Sequence, residues 1–165
     1  MRIAFKEWAV VVDALGRGEQ LLILRKGGIA EGRDGFQVGH ERFLLFPTLP
    51  GPETLRLESF AEVVAARKLG SLAEAERLRG QHIWRDEVVA ERFDRGEEQA
   101  IHALALRVWR LPRRIELPML PNYGGCRSWI EVAEDIPTAG SVPVLDDDAF
   151  AAKRAAFVAA TGGAR

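Results

Sequence analysis

The chain has 165 residues, a formal net charge of −1, 47% hydrophobic residues, 28% charged residues and one cysteine. This composition excludes an intrinsically disordered chain, and the single cysteine excludes an internal disulfide framework. No apolar run reaches the roughly 18–20 residues that a membrane-spanning helix needs, and the start "MRIAFKEW" is interrupted by charges and lacks a signal-peptide core. We therefore expect a single domain over residues 1–165, a cytoplasmic location and no membrane partner.

The first predicted elements form a β-hairpin. Residues Glu7–Leu15 alternate in hydrophobicity, residues 16–19 contain two glycines that suit a turn, and Gln20–Lys26 is a return strand that is apolar on both faces. A glycine-rich loop follows at residues 27–35, and Phe43–Phe46 is the next strand candidate.

The middle of the chain changes to a helical pattern. Residues 53–79 predict two short helices joined at Gly70. The second helix begins after Ser71, and Glu74 lies three residues later, which is the arrangement of a capping box. Residues 81–94 alternate in hydrophobicity again and predict a strand.

The last third predicts a strand from about His102 and then a stretch, residues 112–125, that contains three prolines and is unsuited to a long regular element. A short strand at residues 126–132 and a helix at about 146–160 complete the chain, and acids in the first turn favour the dipole of that helix. This order of elements predicts an α+β fold with a mainly antiparallel, twisted or barrel-like sheet and three to four helices.

Three segments of the chain resemble one known family. They are "EWAVVVDALGRGEQLLILRKGGI", "HERFLLFPT" and "GGCRSWIEV", and together they are similar to the uncharacterised prokaryotic domain-of-unknown-function family 1802. The similarity covers roughly Phe5–Val132 and leaves the C-terminal helix outside. The family often continues the Pro-Thr element into His-Gln, whereas residues 49–51 here are Leu-Pro-Gly, so the resemblance implies no catalytic histidine there and no established activity. At the level of the fold alone, a PUA-like or ASCH-like small barrel fits the order of elements.

The segment Arg25-Lys26-Gly27-Gly28 is a candidate anion site. Consecutive glycines let backbone N–H groups converge on an anion, and two adjacent cations suit a phosphate. It is not a Walker A loop, because no Gly-Lys-Ser/Thr follows. The alternative is a strand end at which two cations reach solvent.

Arginine and aromatic residues alternate in the second half of the chain, where residues 101–130 hold five arginines and one glutamate, a net charge of +4. Arg107 and Trp109 would share a face of one strand. Arginine beside tryptophan can stack on bases and pair with phosphates, whereas the alternative is a core tryptophan flanked by solvated arginines. The set comprises Arg107, Trp109, Arg110, Arg113, Arg114, Tyr123, Arg127 and Trp129.

Catalytic chemistry has weaker candidates. His82 and Asp86 would share a strand face and could act as a general base, and His40 precedes Glu41. Cys126 follows two glycines and could be exposed as a nucleophile, although a lone cysteine is more often a small buried side chain. The histidines are not paired at the spacings that metal ligands commonly show.

The residues therefore favour a module that binds an anion or nucleic acid (RNA or DNA), or another phosphate-bearing ligand, with the candidate ligand-binding residues Arg25, Lys26, Gly27, Gly28, Arg107, Trp109 and Arg127. The alternatives are a small hydrolase or nuclease that uses a histidine–carboxylate pair and a protein–protein adaptor whose arginine segment meets an acidic partner. We expect no cofactor and no metal. One continuous core is expected from Trp8, Val10, Val12, Leu22, Leu24, Leu44, Leu104, Leu106 and Val108.

Overall fold

One curled, mixed sheet organises the fold, in a computed structural model that describes residues 1–26, 38–49, 51, 53–96, 98–125 and 127–162. Seven strands lie in this part of the chain: β1 (Ile3–Trp8), β2 (Leu22–Arg25), β3 (Arg42–Thr48), β4 (Thr54–Leu69), β5 (Ile101–Pro118), β6 (Trp129–Glu131) and β7 (Val142–Pro143). Four α-helices lie there too: α1 (Ala9–Gly16), α2 (Leu72–Glu76), α3 (Asp86–Asp94) and α4 (Asp147–Ala160).

The strand order is β2-β5-β4-β3-β1-β6, with β7 paired to β5. β1 and β3 run parallel, and the other pairs among the described residues are antiparallel. The predicted α+β class with a mainly antiparallel, barrel-like sheet is therefore confirmed. The long β4–β5 pair is interrupted twice, between Leu57 and Ser59 and between Val63 and Ala65, and such irregularities bend a sheet.

The two faces of the sheet carry different helices. Neighbouring residues of a strand point to opposite faces, so Ile23 and its partner Leu104 lie on one face, and Leu24 and its partner Ala103 lie on the other. We call the first the α1 face, where the buried residues include Phe5, Val11, Leu15, Ile23, Leu104 and Leu106. We call the second the α4 face, where they include Leu22, Leu24, Ala75, Val89, Ala103 and Phe157.

The predicted hairpin is wrong in its first half. β1 ends at Trp8 and the chain continues as α1, in which Val11, Ala14 and Leu15 are buried at helical spacing. The run of valines fits both the two-residue period of a strand and the 3.6-residue period of a helix. Packing of its apolar side chains against the sheet favours the helix. Trp8 and Val10 are consequently 52% and 57% exposed, so their assignment to the core is wrong.

The remaining core residues of that prediction divide between clusters. Val12 is half-buried, and these predicted residues are buried: Leu22, Leu24, Leu44, Leu104, Leu106 and Val108. They belong to three clusters rather than one, and the sheet separates the cluster of Leu104, Leu106 and Val108 from that of Leu22 and Leu24.

Two further segments exchange their predicted types. Residues 54–69 form β4 rather than a helix, and its start alternates between exposed and buried side chains as a strand does. Asp86–Asp94 forms α3 rather than a strand, with acidic residues in its first turn. β5 continues through Pro112, which lies in the irregular stretch between Arg110 and Ile115 where pairing with β4 is interrupted.

Several local predictions are confirmed. β2 lies within the predicted strand Gln20–Lys26, and β3 includes the predicted strand Phe43–Phe46. β5 begins next to His102, and a short strand forms at Trp129–Glu131. The Ser71 side chain accepts a hydrogen bond from the Glu74 N–H at the start of α2, and Asp146 caps α4. No helix among the described residues has both the length and the apolar character needed to span a membrane.

Candidate nucleic-acid interface

Arg25 ends β2 on the α1 face, as its pairing with His102 of β5 shows. Its Nη2 donates a hydrogen bond to Ser128 Oγ at 2.6 Å, and its guanidinium carbon lies 5.0 Å from the centre of the Phe5 ring. Its Nη1 lies 4.0 Å from Glu7 Oε2, which is too far for a hydrogen bond. Its Nε is buried without a hydrogen-bond partner among the described residues.

Glu7 is a buried carboxyl group that sequence reasoning missed. It is 1% exposed, and its Oε1 accepts a hydrogen bond from the Trp8 backbone N–H at 2.7 Å. Its Oε2 has no hydrogen-bond partner in the described part of the chain. Burial raises the pKa of Glu7, and the charges of Arg25 and Arg92 oppose that rise. The two-residue period of a strand could have indicated this burial. Phe5 and Glu7 fall on the same face of β1, and Phe5 is buried.

Arg92 of α3 joins this charged group to two tryptophans. Its guanidinium carbon lies 4.2 Å from the ring centre of Trp84 and 5.3 Å from that of Trp8, and its Nη1 donates to the Leu24 carbonyl at 3.1 Å. The two indoles meet edge to face with centres 5.0 Å apart. Burial lowers the pKa of Arg92, and the Glu7 charge acts in the opposite direction.

The Trp8 indole borders an open apolar pocket of about 430 Å³. Trp8, Val10 and Leu49 are 52%, 57% and 59% exposed, so this is a concentration of large apolar side chains in contact with solvent. We call this surface the Trp8 surface; its lining residues are Trp8, Ala9, Val10, Thr48 and Leu49.

A second pocket of about 440 Å³ shares Thr48 and Leu49 with the Trp8 surface and extends to Lys6. The Lys6 Nζ donates to the carbonyls of Tyr123 at 2.8 Å and Gly125 at 2.7 Å. This lysine therefore holds the turn at Pro121–Tyr123 against β1.

Lys26 has a structural role. Its Nζ donates to the Phe93 carbonyl at 2.6 Å and to the Glu98 carbonyl, and it lies 5.7 Å from the centre of the Phe93 ring. Partial burial lowers the pKa of Lys26. These contacts join the end of β2 to the end of α3. Gly27 and Gly28 of the predicted anion nest lie outside the described residues.

Arg107 and Arg25, both candidate ligand-binding residues, lie on opposite faces of the sheet and therefore do not form one basic surface. Arg107 is on the α4 face, 8% exposed, with Nη2 at 2.7 Å from Asp147 Oδ1 and its guanidinium carbon 4.3 Å from the Phe150 ring centre. Trp109 follows it on that face and stacks on Phe60 with ring centres 6.1 Å apart. The contacts of Arg107 secure α4 to the sheet.

Arg127 is exposed and donates from Nη2 to the Asn122 carbonyl at 3.2 Å. It follows the Pro121–Tyr123 turn, and the adjacent Ser128 bonds Arg25. Among the predicted arginines, Arg127 is therefore the one adjacent in sequence to Ser128, the hydrogen-bond partner of Arg25.

The histidine candidates do not converge. The His40 ring lies 5.1 Å from the Trp129 ring, whereas His82 precedes Trp84 in the segment before α3. Burial lowers the pKa of His82, and the charge of Asp86 opposes this. Asp86 is exposed and Arg79 lies 2.8 Å from its Oδ2; that hydrogen-bonded guanidinium lowers the pKa of Asp86.

Cys126 lies outside the described residues. Over the ranges that are described, no group of three His, Cys, Asp or Glu side chains is placed to hold a metal ion.

Comparison with solved structures shows similarity to an ASCH protein of Zymomonas mobilis. A tyrosine-to-phenylalanine variant of that protein has a TM-score of 0.54 and 14% identity over 80% of this chain and 90% of that one. A serine-to-alanine variant gives 0.48 and 17%, and the unsubstituted protein gives 0.47 and 18%; each of these two matches covers 64% of this chain and 66% of the other. The similarity to the tyrosine-to-phenylalanine variant supports the expected ASCH-like fold.

Comparison with curated protein sequences finds no significant match. The family profile of a domain of unknown function, DUF1802, matches residues 4–51 and 49–156. This match confirms the resemblance seen in the three segments, and it extends beyond Val132 to include most of α4, which we had expected to lie outside. The chain belongs to the DUF1802 family.

Proposed function

We propose that this protein binds single-stranded nucleic acid, with a base stacked on Trp8 and the backbone phosphates directed toward Arg92 and Arg25. The observation that carries the proposal is the half-exposed Trp8 indole. It is fixed by an edge-to-face contact with Trp84 and by the Arg92 guanidinium, and it borders a pocket of about 430 Å³. Base–aromatic stacking combined with cations is the usual basis of single-strand binding.

The charge distribution determines what kind of binding is expected. The net charge is −1, so no strong overall field attracts a polyanion, and affinity must come from a local site. If Arg25 and Arg92, whose charges are partly balanced by Glu7, together neutralise about one phosphate, log K should fall with log salt with a slope of about −0.7. This slope is shallow compared with that of a protein covered by lysine and arginine.

Fluorescence anisotropy with a labelled 12-nucleotide single strand, as RNA and as DNA, tests the proposal at low salt. Trp8→Ala should weaken binding about 5- to 150-fold, because each stacked base contributes about 1–3 kcal/mol. Trp8→Phe should recover most of the affinity, since a ring remains available for stacking. A duplex of the same sequence should bind more weakly, because its bases are already stacked on one another.

Val142→Ala is the matched control, since Val142 is also exposed, at 54%, and lies on β7 rather than at the Trp8 surface. It should leave affinity unchanged. Absence of binding by the wild-type protein at about 10⁻⁴ M, or equal affinity of Trp8→Ala and wild type, would contradict the proposal. The duplex result would do so as well if the duplex bound more tightly than the single strand.

A further inference from the structure

Glu7, Arg25 and Arg92 form a charged cluster with one excess positive charge. The Arg25 Nη1 lies 4.0 Å from Glu7 Oε2, and the charge of Arg92 acts on the same carboxylate. The buried Glu7 Oε2 and the buried Arg25 Nε each lack a hydrogen bond among the described residues. Buried polar groups are nearly always hydrogen-bonded, and each exception needs an explanation. A ligand that accepts from Arg25 and carries negative charge would supply one.

We propose that this cluster is a phosphodiester subsite in which Glu7 takes up a proton when the phosphate binds. The inference rests on the proposed function, and it adds the ligand group that occupies the cluster and the condition under which it binds. A phosphate oxygen accepts hydrogen bonds from a guanidinium in a defined geometry, and the Arg25 side chain, which is 19% exposed, can supply such a donor. Arg92 contacts the Trp8 ring, so the subsite adjoins the Trp8 surface on which a base is proposed to stack.

The charge balance requires the proton. With Glu7 ionised, the cluster carries two positive charges and one negative charge. A phosphodiester entering beside the Glu7 carboxylate would repel it, since two anions would share one small, partly desolvated site. When the carboxylate takes a proton from solvent, the phosphodiester replaces the charge that Glu7 has lost, and the total charge of the cluster stays the same. Burial raises the pKa of Glu7 already in the free protein, so the proton is less costly to add.

Other charged groups face the same place and enter the design of the test. Arg25 of β2 and Arg92 of α3 act electrostatically on the Glu7 carboxyl group. His102 of β5 is the cross-strand neighbour of Arg25, and His82 lies next but one to Trp84 in the chain. Histidine is the side chain whose ordinary pKa lies between pH 5 and 8, so a pH effect must be assigned to Glu7 by substitution.

The probe is an unlabelled oligo(dT) single strand, because neither its phosphodiesters nor its thymines titrate between pH 5 and 8. Its affinity is measured by calorimetry across that range at constant ionic strength, in two buffers of different ionisation enthalpy, so that the protons taken up are counted directly. Wild-type protein should bind more tightly as pH falls, by up to tenfold per pH unit for one linked proton. Glu7→Gln, which is nearly isosteric, should lose that dependence.

Glu87→Gln is the matched control, because Glu87 is an exposed carboxyl on α3, the helix that carries Arg92. It should keep the wild-type pH dependence. Binding of oligo(dT) without proton uptake, or with the same pH dependence in wild type and Glu7→Gln, overturns the phosphodiester subsite. Neither result contradicts the proposed stacking of a base on Trp8. Absence of oligo(dT) binding at every pH overturns the proposed function and this inference with it. If Glu7→Gln does not fold, absence of proton uptake by the wild-type protein still overturns the subsite, and proton uptake that persists in the double variant His82→Gln/His102→Gln supports it.

Discussion

Phe157→Ala should destabilise the protein by about 3–5 kcal/mol. Phe157 is 0% exposed and is the buried residue of α4 on the α4 face of the sheet. Removing its ring loses about 1.5–3 kcal/mol of transfer free energy. The void adds about 24 cal/mol per Å³, so about 60 Å³ of unfilled space adds about 1.4 kcal/mol. For a chain of this size the loss corresponds to a fall in Tm of roughly 6–18 °C.

Urea unfolding followed by far-UV circular dichroism measures this change, and Arg154→Ala is the control because Arg154 is exposed on the same helix. The control should stay within about 0.5 kcal/mol of wild type. A Phe157→Ala variant within about 1 kcal/mol of wild type would refute the packing of α4 on the sheet. Binding of single strands below the lower Tm should be unchanged, because the Trp8 surface is formed by other residues.

Three further substitutions test individual contacts. Ser71→Ala removes the acceptor for the Glu74 N–H and should cost about 1 kcal/mol in urea unfolding, and an unchanged midpoint would count against the cap. Lys26→Met keeps the length of the side chain but removes its hydrogen bonds to the carbonyls of Phe93 and Glu98. It should lower the free energy of unfolding by about 1.5–3 kcal/mol. An unfolding curve identical to that of wild type would show that these bonds are dispensable. Glu7 has a raised pKa in the folded state, so its contribution to stability is fully present below the unfolded value of about 4.3 and is lost as pH rises through the folded value. Unfolding measured from pH 4 to 8 should therefore show wild type losing stability relative to Glu7→Gln as pH rises, and a constant difference would contradict the raised pKa.

Local signals in the sequence were sufficient for several elements. The apolar run before Arg25 is typical of a buried strand, because its residues are apolar on both faces, and the structure pairs it with β5. Ser71 with Glu74, and Asp146 before an alanine-rich stretch, mark helix starts by side-chain hydrogen bonds that span three residues. Such interactions need no information from elsewhere in the chain, so they can be predicted from a few adjacent residues.

The tertiary structure was needed to assign elements whose hydrophobic pattern fits both a strand and a helix. The valines of α1 fit a strand by propensity and a helix by spacing, and only the sheet beneath Val11 and Leu15 decides between them. β4 reads as a helix when taken alone, yet its residues pair along almost the whole of β5. Propensity is a weak prior in both cases, because burial against the rest of the protein outweighs it.

The candidate site depends on tertiary structure even more strongly. Arg25 donates a hydrogen bond to Ser128, which lies 103 residues away in the sequence. Glu7 is buried because β1 lies between β3 and β6. The sequence by itself determined that Arg25 and Lys26 follow a buried strand and that Arg107 precedes Trp109. Only the tertiary structure decided that Arg107 faces α4 while Arg25 faces Glu7, because side-chain alternation in the paired strands sends them to opposite faces of the sheet.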